Sequence, residues 1–235
     1  MSFKMQRLEK IRMRVQKACV LAGRDPSAVT VLAVGKKHPE TLIRALFEQG
    51  QRAFGENQLQ EARRKQLQLA DLDINWHFVG QVQSNKTRDL ARHFDWVQSV
   101  DRIKVLKLLS AQRPPALPAL NICLQVNIDR EPQKSGLLPE DLPEMAQMTT
   151  EMPGIALRGL MAIPKANTGD RETARSFHRV RMLYDGLCAQ GYRLDTLSMG
   201  MSADLETAIA HGSTLIRIGT DLFGPRPMKR EEATE

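Results

Sequence analysis

The sequence predicts an α/β fold: a single (β/α)8 TIM barrel with an extra N-terminal helix, forming one domain over residues 1–235. Three observations carry this. Short β-branched runs alternate with longer amphipathic stretches, which implies parallel strands joined by helical crossovers. Eight such runs can be counted, and about 200 to 250 residues is the usual span of eight β/α units. No Pro/Gly-rich linker or low-complexity segment divides the chain. The competing architecture, a doubly wound open sheet, is weakened by the absence of G-x-G-x-x-G after the first strand.

Met5, Leu8, Ile11, Val15, Cys19 and Ala22 recur at spacings of three and four, so residues 4–22 read as an amphipathic helix stopped by Gly23. The apolar run 29–34 is the first strand, and Pro39 opens a helix through Gln49, stopped at Gly50. The same unit then repeats: strand 52–55 and helix 58–69, strand 75–79 and helix 86–93, strand 96–100 and helix 102–111. After Pro114, Pro115 and Pro118 come strand 119–127 and helix 139–151, strand 157–163 and helix 172–190, and strand 196–199 and helix 203–211. Residues 215–218 close the series without a clear following helix, and the tail from Pro225 reads as frayed.

Composition narrows the function classes. Hydrophobic residues at 42% and charged residues at 26% are those of a globular chain, not a disordered or fibrous one. No run of about 18 apolar residues offers a membrane span, and the basic N-terminus lacks the apolar stretch of a secretory signal. Cys19, Cys123 and Cys188 are odd in number and scattered, which suits a reducing, cytoplasmic setting. The net charge of +7 favours an anionic partner without naming one. The basic clusters, Lys4 to Lys17 and Arg63-Arg64-Lys65, lack interleaved stacking aromatics. They read as solvated faces, and nucleic acid is not expected as a partner.

Familiar chemical motifs are missing. The five histidines, His77 among them, show no metal-ligand spacing and read as surface or strand-end residues, so no metal is expected. Gly35-Lys36-Lys37 is no phosphate-binding P-loop, and Ser202 reads as a helix N-cap rather than a nucleophile. The informative residues stand where strands end, because a (β/α)8 barrel builds its site from the loops after its strands. They are Lys36, Glu56 and Asn57, then Gln81, Ser84, Asn85 and Lys86, then Met161 to Ile163, Gly200 to Ser202, and Gly219 with Thr220. A lysine ending an apolar strand brings its ammonium toward a low-dielectric mouth, which suits it to Schiff-base chemistry. The loops after strands seven and eight often bind phosphate in such barrels. An aldehyde-reactive lysine beside a phosphate cradle is the site expected for pyridoxal 5'-phosphate. Lys36 shares strand parity with Thr30, Leu32 and Val34, and Lys37 with Val31, Ala33 and Gly35. Both faces of a barrel strand are buried, so periodicity does not say which set points inward. Lys36 lies one residue deeper than Lys37 and is the better nucleophile on desolvation grounds.

Ala33-Val34-Gly35-Lys36, Phe54-Gly55-Glu56-Asn57, the run from Trp76 to Lys86, Lys134-Ser135-Gly136, Arg158 to Ile163, Ser198 to Ser202 and Arg217 to Thr220 follow one family in order. From residue 4 to Gly224 the chain resembles the pyridoxal phosphate homeostasis (YggS/PROSC) proteins. The resemblance implies a fold like the N-terminal barrel of alanine racemase, with Lys36 holding pyridoxal phosphate as an internal aldimine. It further implies phosphate contacts from Ser202, Gly219 and Thr220, Arg217 facing the pyridine nitrogen, Asn57 near the ring and Met199 packed beside it. The family usually has Ser where this chain has Gly35.

Two activities fit that site: a carrier serving vitamin B6 homeostasis without turnover, and a weakly active, racemase-like enzyme dependent on the cofactor. Racemisation needs a second acid/base on the face opposite the lysine. In the alanine racemase architecture it is a tyrosine from a separate β-domain. The sequence runs 15 residues past Thr220, so that domain is not expected, and Tyr184 and Tyr192 fall on or just after the long helix. A guanidinium at Arg217 accepts no proton, which leaves the ring nitrogen unprotonated and the electron sink weak. The carrier reading, with no catalytic residue, is therefore favoured. Apo-enzymes that use the cofactor are candidate recipients.

Overall fold

The computed structural model describes residues 5–166 and 169–225. The tail from 226, with Lys229 and Arg230, lies outside the described residues. Eight strands, β1 (Thr30–Val34), β2 (Ala53–Glu56), β3 (Asn75–Phe78), β4 (Trp96–Val100), β5 (Leu120–Val126), β6 (Ile155–Ala162), β7 (Thr196–Ser198) and β8 (Leu215–Ile218), form a closed barrel in sequence order. Every neighbouring pair is parallel, and β1 closes on β8 with Ala33 opposite Ile218. Helix α1 (Met5–Leu21) precedes the barrel. The crossovers are α2 (Glu40–Glu48), α3 (Leu59–Gln68), α4 (Thr87–His93), α5 (Ile103–Gln112), α6 (Leu142–Thr150), α7 (Asp170–Ala189) and α8 (Leu205–Ala210). A short α9 (Thr220–Phe223) follows β8, where the sequence pattern is too brief to read as a helix.

Alternation along each strand builds two cores. Ala33, Phe54, Phe78, Val97, Leu124, Leu160, Leu197 and Ile218 belong to the large apolar layer between sheet and helices. Leu32, Ala53 and Leu215 form a small cluster inside the barrel, and Trp96, Cys123 and Met161 form another. Leu32 and Ala33 are both fully buried, which is why periodicity could not sort them. The inward set is that of Leu32 and Val34, which pack with Ala53 and Leu215 apart from the large outer layer and share their face with Gly55 across the β1–β2 seam.

Helix α1 covers the seam where the last unit meets the first. Leu8, Ile11, Val15, Ala18 and Cys19 are buried along one stripe. Arg12 donates to the Gln49 carbonyl after α2, Arg14 pairs with Glu206 of α8, and Arg24, just beyond α1, donates to the Ile209 and Ser213 carbonyls. The basic first helix is therefore not simply a solvated face. Its outer surface carries charge, while Arg12 and Arg14 tie it to both flanking units. No described helix is long and apolar enough to cross a membrane.

Candidate functional site

Four of the strand-end loops meet in one sector of the barrel mouth. Register sets this: β1 pairs with β2 through Val34 and Gly55 and with β8 through Ala33 and Ile218. Lys36 therefore stands between Asn57 on one side and Gly219 with Thr220 on the other. β8 continues the sector to β7, where the Arg217 N–H donates to the Gly200 carbonyl at 3.0 Å.

β1 ends at Val34, so Lys36 lies in the turn that follows rather than on the strand, and strand parity does not itself decide between the two lysines. The turn decides. Lys36 is half-buried, whereas Lys37 is exposed and takes a left-handed backbone with φ of 63°. The His38 N–H donates to Gly35 O at 3.0 Å, and the His38 ring stacks on Phe223 of α9 at 5.1 Å. Behind the turn lies a group that reading the sequence missed. Lys65 of α3, read as part of a solvated basic run, is fully buried. Its ammonium donates to Glu56 Oε1 at 2.7 Å, Glu61 Oε1 at 2.7 Å and Gly35 O at 2.8 Å. The signal was present: Leu59, Ala62, Lys65 and Gln66 are the buried stripe of α3, and the helical period places Lys65 on it.

Asn57 is half-buried, and its Oδ1 is a buried acceptor with no partner among the described residues. It is pressed by Gly80 of the loop after β3, where any Cβ would lie 2.1 Å from Asn57 O, so only glycine allows these two loops to approach.

On the other side, the turn after β7 begins at Gly200, whose φ of 94° suits glycine and whose Cβ would clash with Ala208. Ser202 is not the N-cap the sequence suggested. The cap position belongs to Asp204, whose Oδ1 accepts from the Met201 N–H at 2.6 Å, and Ser202 is released into the turn. The backbone N–H groups of Ser202, Gly219 and Thr220 find no acceptor among the described residues. Arg14 clasps these two loops from outside, donating to Ser202 O at 2.9 Å, to Glu206 at 2.8 Å and to Asp221 at 3.3 Å.

Arg217 points into the barrel and is buried. Its Nη1 donates to Ser198 O and Oγ at 2.8 Å, and its Nη2 to Ala162 O at 3.0 Å. Ser198 Oγ donates to Gln98 Oε1 at 2.7 Å, and Gln98 Nε2 lies 2.8 Å from His77 Nδ1. This buried chain fixes the guanidinium plane. Burial draws Arg217 down to about 10, which still leaves a cation at neutral pH. His77 is thus no surface residue; it is enclosed against Trp96, and burial pulls it down to about 3, so it is neutral. Met199, one residue past β7, is fully buried and packs in the large apolar cluster. Among the described residues, no group of three His, Cys, Asp or Glu side chains could hold a metal.

The alanine racemase N-terminal domain family matches residues 7–227. A pyridoxal phosphate homeostasis protein of Pseudomonas aeruginosa is 52% identical over 221 residues, covering 94% of this chain and 95% of its own. The Escherichia coli protein of the same name is 42% identical over 230 residues, covering 95% and 97%. The chain belongs to the pyridoxal phosphate homeostasis protein family. Among solved structures, PipY of Synechococcus elongatus with PLP bound is 38% identical, covers 89% of this chain and 99% of its own, and superposes with a TM-score of 0.77. Alanine racemase of Clostridium difficile, 11% identical with a TM-score of 0.70, covers 93% of this chain and 57% of its own and shares the fold.

Proposed function

We propose that this protein binds pyridoxal 5'-phosphate at the barrel mouth, retains it on Lys36 and serves vitamin B6 homeostasis in the cytoplasm as a carrier without turnover. The observation that carries the reading is the placement of Lys36 between two sets of unsatisfied polar groups. One is the buried, unpartnered Oδ1 of Asn57, and the other is the acceptor-free N–H groups of Ser202, Gly219 and Thr220. These suit a ligand with a ring substituent at one end and a phosphate at the other. Pyridoxal phosphate held there would supply an aldehyde able to condense with the Lys36 amine, releasing water. The protein's part is to hold that amine, bind the anion and set the charge at the ring. Arg217 offers only donors and stays charged, so a ring nitrogen facing it keeps its lone pair. That arrangement favours storage over carbanion chemistry. Tyr184 on α7, pushed up to about 12 by burial, and Tyr192 just beyond α7 stand away from the strand ends, so neither supplies the second acid/base of a racemase. Delivery to apo-enzymes that use the cofactor is the corresponding cellular role.

The test is covalent trapping. Protein incubated with pyridoxal phosphate and reduced with borohydride should carry the pyridoxyl group on Lys36 by peptide mass spectrometry. Lys36→Ala should lose the visible absorbance band and Lys37→Ala should keep it. Label on Lys37 in the parent protein, or a band that survives in Lys36→Ala, overturns the assignment.

A further inference from the structure

The Lys65 cluster brackets Lys36 on both sides of its own peptide unit. The carbonyl preceding Lys36, that of Gly35, accepts from Lys65 Nζ at 2.8 Å. The N–H following it, that of Lys37, donates to Glu61 Oε1 at 2.6 Å, and the same oxygen accepts from Lys65. Glu56 completes the set, and a Cβ at position 35 would sit 2.9 Å from its Oε1, so Gly35 lets the carboxylate reach the turn. All three ammonium protons are thus used, two of the three bonds ending on carboxylates and one on the lysine turn.

A purely structural reason for this arrangement is weak. Lys65 occupies the apolar stripe of α3, where a leucine or methionine would bury more simply. Buried ion clusters are often no better for stability than apolar residues of the same volume, because both charges lose their hydration. The turn also holds Lys37 at φ of 63°, a conformation that disfavours a side chain and persists only where surrounding contacts impose it. A strained residue, a buried cation and two carboxylates all converge on the backbone on either side of one half-buried lysine.

We propose that Lys65 is the positioning residue for Lys36, acting through Gly35 O and Glu61 to hold the Lys36 amine in its attachment geometry. This rests on the reading that Lys36 carries the cofactor. Lys65 itself touches neither cofactor nor reacting atoms.

Two variants separate positioning from folding. Glu61→Ala removes the Lys37 tether and leaves the Lys65–Glu56 pair. The double variant Lys65→Met/Glu56→Leu removes the fully buried pair and leaves Glu61, which is partly exposed and keeps its bond from the Lys37 N–H. Each is mixed with pyridoxal phosphate in stopped flow, with attachment followed by visible absorbance and the site fixed by borohydride and mass spectrometry. The expected result is attachment slowed about 10- to 100-fold, as misplacement of a reacting group by about 1 Å would give. Part of the label should shift to Lys37, and the pH midpoint of the visible band should move. Glu61→Gln, which keeps an acceptor oxygen, should recover most of the rate. A merely structural role would lower the melting temperature without moving the label or the pH midpoint. Parent-like rate, label and midpoint in Glu61→Ala overturn the proposal, whether or not the double variant folds. A parent protein that carries no label on Lys36 overturns the underlying reading of the site, and this proposal with it.

Discussion

The loop after β1 is anchored from inside the protein by Lys65 and Glu56, whose side chains have no solvent exposure, while the loops after β7 and β8 are anchored from outside by Arg14, 35% exposed, on Glu206 at 50% and Asp221 at 41%. Both anchors are cations gripping carboxylates and a backbone carbonyl at similar distances. They differ in dielectric surroundings, and so in what their removal should do. In a buried cluster each partner depends on the others, because an unpaired charge there has no water to fall back on. At the surface, water and salt replace a lost partner at little expense. The Lys36 end of the mouth is thus tied from a buried cluster and the end formed by the loops after β7 and β8 from the surface, an arrangement that, on the proposed function, would suit retaining a cofactor while letting its phosphate enter and leave.

The largest effect that tests this contrast is on stability. Lys65→Met alone strands Glu56 in the interior and should destabilise the fold by about 3 to 5 kcal/mol in urea denaturation. Adding Glu56→Leu should restore most of the loss. A single variant within about 1 kcal/mol of the parent would show that the cluster is hydrated and erase the contrast.

On the anion-binding side the next effect is on affinity. Ser202→Ala removes the hydroxyl that would donate to the phosphate beside the retained Ser202 N–H, so it should weaken pyridoxal phosphate by about 1.5 to 3 kcal/mol, the worth of a hydrogen bond to a charged group, while leaving pyridoxal unaffected. Equal losses for both ligands in equilibrium dialysis would move Ser202 out of the cradle.

The interior also writes itself into the pH dependence, with two groups of opposite sign. His77 is held near 3 by burial, below its usual 6.5, so its contribution is present above about 6.5 and is lost as pH falls toward 3. The limiting slope is about 1.4 kcal/mol per pH unit. Glu56 is raised to about 7, burial outweighing the attraction of Lys65, so its contribution is full below the ordinary carboxylate range and is lost as pH rises through 7. His77→Gln should flatten the acid limb of the stability profile, and Glu56→Gln the neutral limb. A His77→Gln profile that keeps the parent's acid slope would place the proton uptake elsewhere.

These same buried groups mark where the sequence stops being legible. Alternation of strand and helix was enough to count eight units, because each segment's own periodicity reports its type. It was also enough to bring Lys36 and the loops after β7 and β8 to one end, since a parallel barrel puts all strand C-termini together. Which face of β1 points inward was not legible, because Leu32 and Ala33 are equally buried. His77 read as a surface or strand-end histidine and Lys65 as one of three adjacent cations, since burial of a polar residue depends on partners far along the chain. Gln98 and Ser198, 100 residues apart, fix the guanidinium of Arg217, and no local pattern joins them. Ser202 was misplaced by two residues for the opposite reason: Asp204 competes for the same capping role and wins it.

The smallest effect is the one that separates the two anchors most cleanly. Arg14→Gln removes the clasp on Ser202 O, Glu206 and Asp221, all reached by a half-exposed side chain. Exposed ion pairs of this kind are worth about 0.2 to 1 kcal/mol, so the melting temperature should fall only slightly. What remains should depend on salt. At about 1 M ionic strength the screening length shrinks to about 3 Å, the separation of the charges themselves, and the difference between Arg14→Gln and the parent should close. The deficit of Lys65→Met should persist at the same salt, because mobile ions do not enter a fully buried cluster. Thermal unfolding of both variants at low and high sodium chloride therefore gives a two-by-two comparison. A salt-independent loss in Arg14→Gln as large as that of Lys65→Met would mean that the outer loops are held as firmly as the inner one. The phosphate end of the site would then share the rigidity of the lysine end, and the division of labour between them would fall.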